Sequence, residues 1–205
     1  MEAITIADDL KFLRQISKEV NILNDKELIN DINVLDEYCK GHDVMAMAAV
    51  QLGIAKRIVY LKNTNLDIIK KMQVDKESKE ERQYNECRVL INPVIVNREG
   101  LTEYWESCAS CLNHCGRVLR PYKIEVEYYD INEKLQRDSF IGFESTVLSH
   151  EMDHLDGILH MDIAEEVKYM PQKERKVWRQ THEYKIYSKT QSFDQLKPKV
   201  LKRTK

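Results

Sequence analysis

His150-Glu151-Met152-Asp153-His154 packs two imidazoles and a carboxylate into little more than one helical turn. Residues four apart share a helix face, so His150 and His154 can grip one divalent cation. Glu151 then sits beside the ion as a proton carrier for an activated water. His and Glu are ordinary helix-surface residues, so the pentapeptide takes its meaning from a third ligand. The flanking residues set the element: Val147, Leu148, Met152 and Leu155 recur at helical spacing from Phe143, and Gly157 is a stop. Just upstream, Ile124, Val126 and Tyr128 alternate with charged neighbours, and Leu135–Ile141 returns as the hairpin partner. The motif helix therefore follows β-structure, which makes the fold class α+β.

Working outward, two helical segments open the chain. Leu10, Leu13, Ile16 and Val20 form one stripe; Leu28, Ile29, Ile32, Leu35 and Cys39 form another, with a cap at Asp25 and an end at Gly41. Residues 45–50 and 57–61 have strand length and are divided by Gly53, and residues 62–88 read as a charged surface insertion. Residues 89–96 are strand-like, with Pro93 marking an edge or bulge, and a further strand over 102–108 follows Gly100. A last amphipathic helical segment spans about 163–187, interrupted at Pro171, before a loose basic tail. The expected organisation is one catalytic domain over 1–187 and a tail over 188–205.

A chain of 205 residues buries a real core without disulfides. The formal charge of -2 argues against DNA as a partner, although Lys197–Lys205 carries five basic residues and no acidic one. The first nine residues lack a basic segment followed by an apolar one, and no apolar run has membrane-span length. The expectation is a cytoplasmic protein that touches no membrane, with Cys39, Cys87, Cys108, Cys111 and Cys115 reduced.

The third ligand has a local and a remote candidate. His160 completes a literal HExxHxxGxxH pattern, the signature of metzincin zinc peptidases. Those proteins need a methionine turn well downstream, whereas 45 residues follow His160 and Met161 and Met170 lie too close. The simpler reading of His160 is a residue leaving the helix. Cys108, Cys111, His114 and Cys115 also offer a zinc-knuckle reading, but a second cysteine pair is missing nearby.

The remote candidate is Cys108, within Glu106-Ser107-Cys108-Ala109-Ser110. Further upstream runs Met47-Ala48-Ala49-Val50-Gln51-Leu52-Gly53. With the His150 motif, these blocks resemble the peptide deformylase family in order and approximate spacing, over about residues 8–165. The family patterns are GxGLAAxQ, EGCLS and QHExxDHLxG. The chain departs from them at Val44, Ala46, Ser107, Ala109 and Ser149.

The resemblance implies antiparallel sheets packed around a central HExxH helix, with N-terminal helices and a C-terminal helix. It implies Cys108, His150 and His154 as ligands of one divalent ion, naturally iron(II), with zinc or nickel able to substitute. A thiolate and two imidazoles leave one coordination position open, as catalytic sites do. The implied reaction is hydrolysis of the formyl group from N-formylmethionyl nascent peptides by a metal-bound hydroxide. Glu151 would be the general base and acid, with the Gln51 amide and the Ala109 N–H as oxyanion donors. Met45, Ala46, Tyr104, Phe143 and Val147 would line the methionine pocket, and the ribosome near its tunnel exit would be a partner. The alternatives are the peptidase completed by His160 and a paralogue that binds peptide termini without turnover.

Overall fold

A computed structural model describes residues 2–42, 44–62, 87–182 and 184–197. The chain runs α1 (Ile6–Leu13), α2 (Leu28–Gly41), β1 (Ala46–Ala48), a 3-10 turn (Ala49–Leu52), β2 (Ile58–Leu61) and β3 (Arg88–Ser107). A second 3-10 turn (Ala109–Cys111) leads to β4 (His114–Arg120), β5 (Lys123–Tyr129) and β6 (Leu135–Ile141). The motif helix α3 (Phe143–Leu155) comes next, then α4 (His160–Ile163), β7 (Glu166–Tyr169), α5 (Gln172–Thr181) and β8 (Lys185–Ser192).

All strand pairings in the sheet are antiparallel, and the order β1-β2-β3-β4-β7 branches at β3. β5 and β8 also pair with β3, and β6 pairs with β5. Twenty residues let β3 serve several neighbours in succession along its length. The α+β class with a sheet covered by helices is thus observed.

Two apolar layers explain why β2, Ile58-Val59-Tyr60-Leu61, is buried at every position. Successive side chains point to opposite faces, and here both faces are covered. Ile58 and Tyr60 meet Leu35, Tyr38 and Cys39 of α2, whereas Val59 and Leu61 meet Leu148, Met152 and Leu155 of α3. β5 covers only one face with core, so Ile124, Val126 and Tyr128 alternate with half-buried charged residues, as the sequence predicts. Each fully buried Leu in this layer contributes about 1.5–3 kcal/mol. α3 is therefore held firmly along one side, and that firmness is transmitted to His150 and His154.

Gly157 ends the motif helix as expected, at φ +71°, and a Cβ there would run into the Arg14 carbonyl. Several expected boundaries shift. α1 is capped by Thr5 and ends at Leu13, so the stripe predicted to continue to Val20 breaks; Ile16 is left exposed. α2 begins at Leu28, while the Asp25 carboxylate accepts from the Glu27 N–H and from Lys56 Nζ. The strand expected over 45–50 stops at Ala48, where Gln51 folds back to bond the Ala48 N–H.

The two strands expected over 89–96 and 102–108 are one. Register shifts near Asn92-Pro93 and after Ile95 absorb the irregularity without ending the pairing with β5. The helical segment expected over 163–187 is instead β7, α5 and the start of β8. β8 continues to Ser192 along β3 and a helical turn covers 193–197, so regular structure crosses the boundary expected at 187. Of the expected insertion, Arg88 belongs to β3 and residues 63–86 lie outside the described residues, as do 198–205 of the basic tail.

Candidate metal centre and active site

Three elements bring the chemistry together. β3 ends at Ser107, so Cys108 sits where a rigid strand breaks into the 3-10 turn. α3 presents His150 and His154 from one face, and the turn after β1 presents Gln51. Ligand atoms of Cys108, His150 and His154 all lie within 4.8 Å of one another, and all three residues are buried. Cys108 Sγ and His154 Nε2 are 3.2 Å apart. Bonds of about 2.3 Å to sulfur and about 2.0 Å to nitrogen put ligand atoms of one tetrahedral ion roughly 3.5 Å apart. The residues fit one borderline-soft divalent ion with a position to spare.

Behind His150 stands a charged relay. Glu106 Oε2 accepts from His150 Nδ1 at 2.8 Å, which leaves Nε2 with its lone pair for the metal side. Arg120 grips the same carboxylate with Nε at 2.7 Å and Nη2 at 2.9 Å, and sends Nη1 to Asp153 at 2.5 Å. Burial works against the Glu106 charge, yet the Arg120 guanidinium holds its carboxyl well below the usual range. Asp153 is the fourth residue of the HEMDH motif, so one arginine fixes both a ligand's partner and the ligand helix.

A second device orients the polar groups on the opposite wall. The Ala48 N–H reaches Gln51 Oε1 at 3.0 Å and Glu151 Oε2 at 2.9 Å. With its oxygen so engaged, the Gln51 amide nitrogen points inward, donating to Cys108 Sγ at 3.3 Å and Ser110 Oγ at 3.1 Å. Burial pushes the Glu151 carboxyl up to about 7, the range a group needs to accept and return a proton near neutrality.

These groups open into a cavity of about 520 Å³. Met45, Ala46, Tyr104, Phe143 and Val147 all line it, together with Gln51, Cys108, Ala109, His150 and Glu151. Tyr104 and Phe143 meet edge to face at 5.1 Å and form one apolar wall with Met45, Val147 and Tyr184.

His160 stays out of the ligand cluster. Its ring stacks on His150 at 5.6 Å, both nitrogens are buried without a partner among the described residues, and burial lowers its pKa to about 4. Despite the literal HExxHxxGxxH spacing, the group of ligand atoms that lie together holds Cys108 with His150 and His154 and does not include His160 among the described residues. Cys111 and Cys115 occupy separate apolar clusters and do not join a metal group among the described residues. Arg120 is internal, and Arg117 pairs with Glu103.

Sequence reasoning missed Ala48, Ser110 and Asp153, because a backbone N–H and two short polar side chains carry no pattern of their own. It also missed that α5 faces the site, where Gln172, Arg175, Lys176 and Arg179 line the cavity. Their i, i+3, i+4, i+7 spacing was the available signal.

The chain matches the family model described as Polypeptide deformylase over residues 1–170. It is 36% identical to a peptide deformylase of Pelagibacter ubique over 159 residues, covering 77% of this chain and 83% of that protein. It is 33% identical to peptide deformylase 2 of Clostridium acetobutylicum, covering 81% and 97%. Among solved structures it is similar to a peptide deformylase of Synechococcus elongatus in complex with actinonin (TM-score 0.65, 28% identity, 88% and 85% coverage). It is also similar to a probable peptide deformylase of Synechococcus phage S-SSM7 (TM-score 0.64, 29% identity, 79% and 98% coverage). Family match, shared fold and the convergence of Cys108 with the HEMDH helix agree: this chain belongs to the peptide deformylase family.

Proposed function

We propose that this enzyme removes the formyl group from N-formylmethionyl peptides at the Cys108–His150–His154 centre. The family acts on formylmethionyl nascent chains and its members are metalloenzymes. Cys108 Sγ and imidazole nitrogens of His150 and His154 would hold one divalent ion, for which the family resemblance favours iron(II), with zinc or nickel as substitutes. When bound, the ion supplies Lewis acidity toward water and the formyl carbonyl.

The chain's own residues do the rest. Glu151, held at one oxygen by Ala48, takes the proton of the attacking water and returns it to the departing amine. The Gln51 amide, aimed inward by Ala48, and the Ala109 N–H donate to the oxygen as negative charge develops. The methionine side chain packs against Tyr104, Phe143, Val147 and Met45. Among the described residues β1 stands at the end of the sheet order, so its outer edge, with Ala46, is available to an extended peptide backbone. The ribosome near its tunnel exit remains the proposed source of these chains.

The observation that carries this reading is the set itself: Cys108, His150 and His154 with ligand atoms within 4.8 Å of one another, beside a buried carboxylate and an oriented amide that line the same cavity as Cys108 and His150. Turnover of formyl-Met-Ala-Ser, assayed anaerobically with iron retained, tests it. Glu151→Ala should lose about 10²–10⁴-fold in kcat. Cys108→Ala should release the metal, whereas His160→Ala should keep both metal and activity. Metal loss in His160→Ala with retention in Cys108→Ala would overturn the ligand assignment. Full metal occupancy without turnover would make the chain a binder of peptide termini.

A further inference from the structure

The rim of the cavity carries a charge that the reaction does not use. Gln172, Arg175, Lys176 and Arg179 fall at i, i+3, i+4 and i+7 of α5, so they form one stripe, and that stripe faces the cavity holding Cys108. The cavity's only lining carboxylates among the described residues are Glu106 and Glu151, and both are buried deep in the site. Glu106 is neutralised by Arg120, and Glu151 is turned toward Ala48. Among the described residues the mouth is therefore cationic, with no acidic counterpart on the rim.

The three cations are not equivalent. Arg179 gives Nη2 to the Trp105 carbonyl at 2.9 Å and to Ser107 Oγ at 3.0 Å, and its guanidinium lies 5.1 Å from the Tyr104 ring centre. It fastens α5 to the strand end that precedes Cys108. Arg175 makes only a long contact with Cys115 Sγ at 3.9 Å, and Lys176 is exposed; neither has an ion pair among the described residues. Two cations are thus held at the exit of a peptide channel by a helix anchored through a third.

Resting on the deformylase reading, we infer that α5 selects formylmethionyl peptides bearing an aspartate or glutamate within the first few residues after the methionine. A peptide whose formyl group lies at Cys108 and whose methionine fills the Tyr104–Phe143 wall must leave past this rim. An extended chain advances about 3.3 Å per residue, so its second to fourth residues sample the position of Arg175 and Lys176. A carboxylate there meets two cations that gain a partner, while a lysine meets like charge.

C-terminally amidated substrates isolate the side-chain charge from that of a free terminus. The measurement is kcat/KM for formyl-Met-Ala-Asp-Ala amide, its Asn and Lys counterparts, and versions with the charge moved to the second and fourth residues. We expect Asp to exceed Asn by about fivefold at low salt at the best position, equivalent to about 1 kcal/mol. The ratio should approach one at about 1 M salt, where screening acts within roughly 3 Å. The Arg175→Glu/Lys176→Glu double variant should reverse the order and favour the Lys peptide, an outcome that misfolding cannot produce.

Equal rates for Asp and Asn at every position would overturn the inference while leaving the deformylase reading intact, because the Asn peptide is still turned over. An Asp preference unchanged in the double variant would also overturn it. So would a double variant that alters ribosome pelleting alone, since the face would then serve RNA. No turnover of any formyl peptide would remove both readings.

Discussion

Replacing Glu106 with glutamine should destabilise the protein and loosen its metal together, because one carboxylate serves two masters. Glu106 accepts from Arg120 Nε at 2.7 Å, Arg120 Nη2 at 2.9 Å and His150 Nδ1 at 2.8 Å, with 4% of the residue exposed. An amide has one acceptor oxygen, and its NH2 group would face a donor on the other side. Removing one partner of a buried ion pair costs about 3–5 kcal/mol. Asp153 still receives Arg120 Nη1, so the lower end applies, about 3 kcal/mol. For a chain of this size that is a fall in Tm of about 6–12 °C. If His150 ligates as proposed, loss of the group that orients its imidazole should weaken metal binding by about 10–100-fold.

Urea unfolding at fixed metal concentration and competition against a chelator read the two effects separately. Arg137→Gln is the control: Arg137 is paired with Glu125 but 58% of its side chain is exposed, so at most about 1 kcal/mol should be lost. The pH dependence has a definite sign. Glu106 is depressed in the folded state, so its contribution is fully present above the ordinary glutamate range and fades only as pH falls toward the depressed value. Titration of Glu106 itself therefore adds no pH dependence from about pH 6 to 8, and any slope in the difference between wild type and Glu106→Gln there comes from His150 and Glu151, whose shifts Glu106 helps to set. A variant within about 1 kcal/mol of wild type, with unchanged chelator competition, would refute this account of the relay.

Two further outcomes follow from packing. Gly157→Ala forces a Cβ onto a left-handed position and into the Arg14 carbonyl, so urea unfolding should show a loss of about 2–4 kcal/mol; a neutral result would mean that α3 does not need this stop. Cys39 is fully buried and its thiol is pushed up to about 12 by burial, whereas Cys87 is exposed. Iodoacetamide at about pH 8 should label Cys87 in the native protein and Cys39 only after denaturation, as read by mass spectrometry; comparable native labelling would contradict the α2 packing.

The strand β5 was legible because it buries one face, and a one-faced element prints its period on the sequence, whereas α3 was legible from its apolar stripe of Val147, Leu148, Met152 and Leu155 although nearly the whole helix is buried. β2 was legible as an apolar run for the opposite reason, having no polar face at all. The convergence of Cys108, His150 and His154 was legible because these residue types are scarce and their chemistry is specific. β3 was read as two strands since Pro93 and Gly100 usually interrupt pairing, and the bulges that absorb Pro93 depend on neighbours distant in sequence. β7 and β8 hid inside charged segments: half-buried edge strands such as Lys185–Ser192 show little alternation. Arg120 could not be told from a surface arginine, because its burial is set by Glu106 and Asp153, 14 and 33 residues away.

The branching of the sheet at β3 also dictates an order of assembly. β4 and β5 follow β3 closely in sequence, but β8 pairs with it only after α3, α4, β7 and α5 have intervened. Roughly tripling the enclosed loop adds only about 1 kcal/mol of closure entropy, so β8 is not disfavoured at equilibrium. Its cost is kinetic, since long-range pairings place such domains toward the millisecond-to-second regime. The strand that delivers Cys108 therefore acquires its local partners first. The basic helix α5, tied to β8 by the chain, closes over a Cys108–His150–His154 cluster whose walls are already standing.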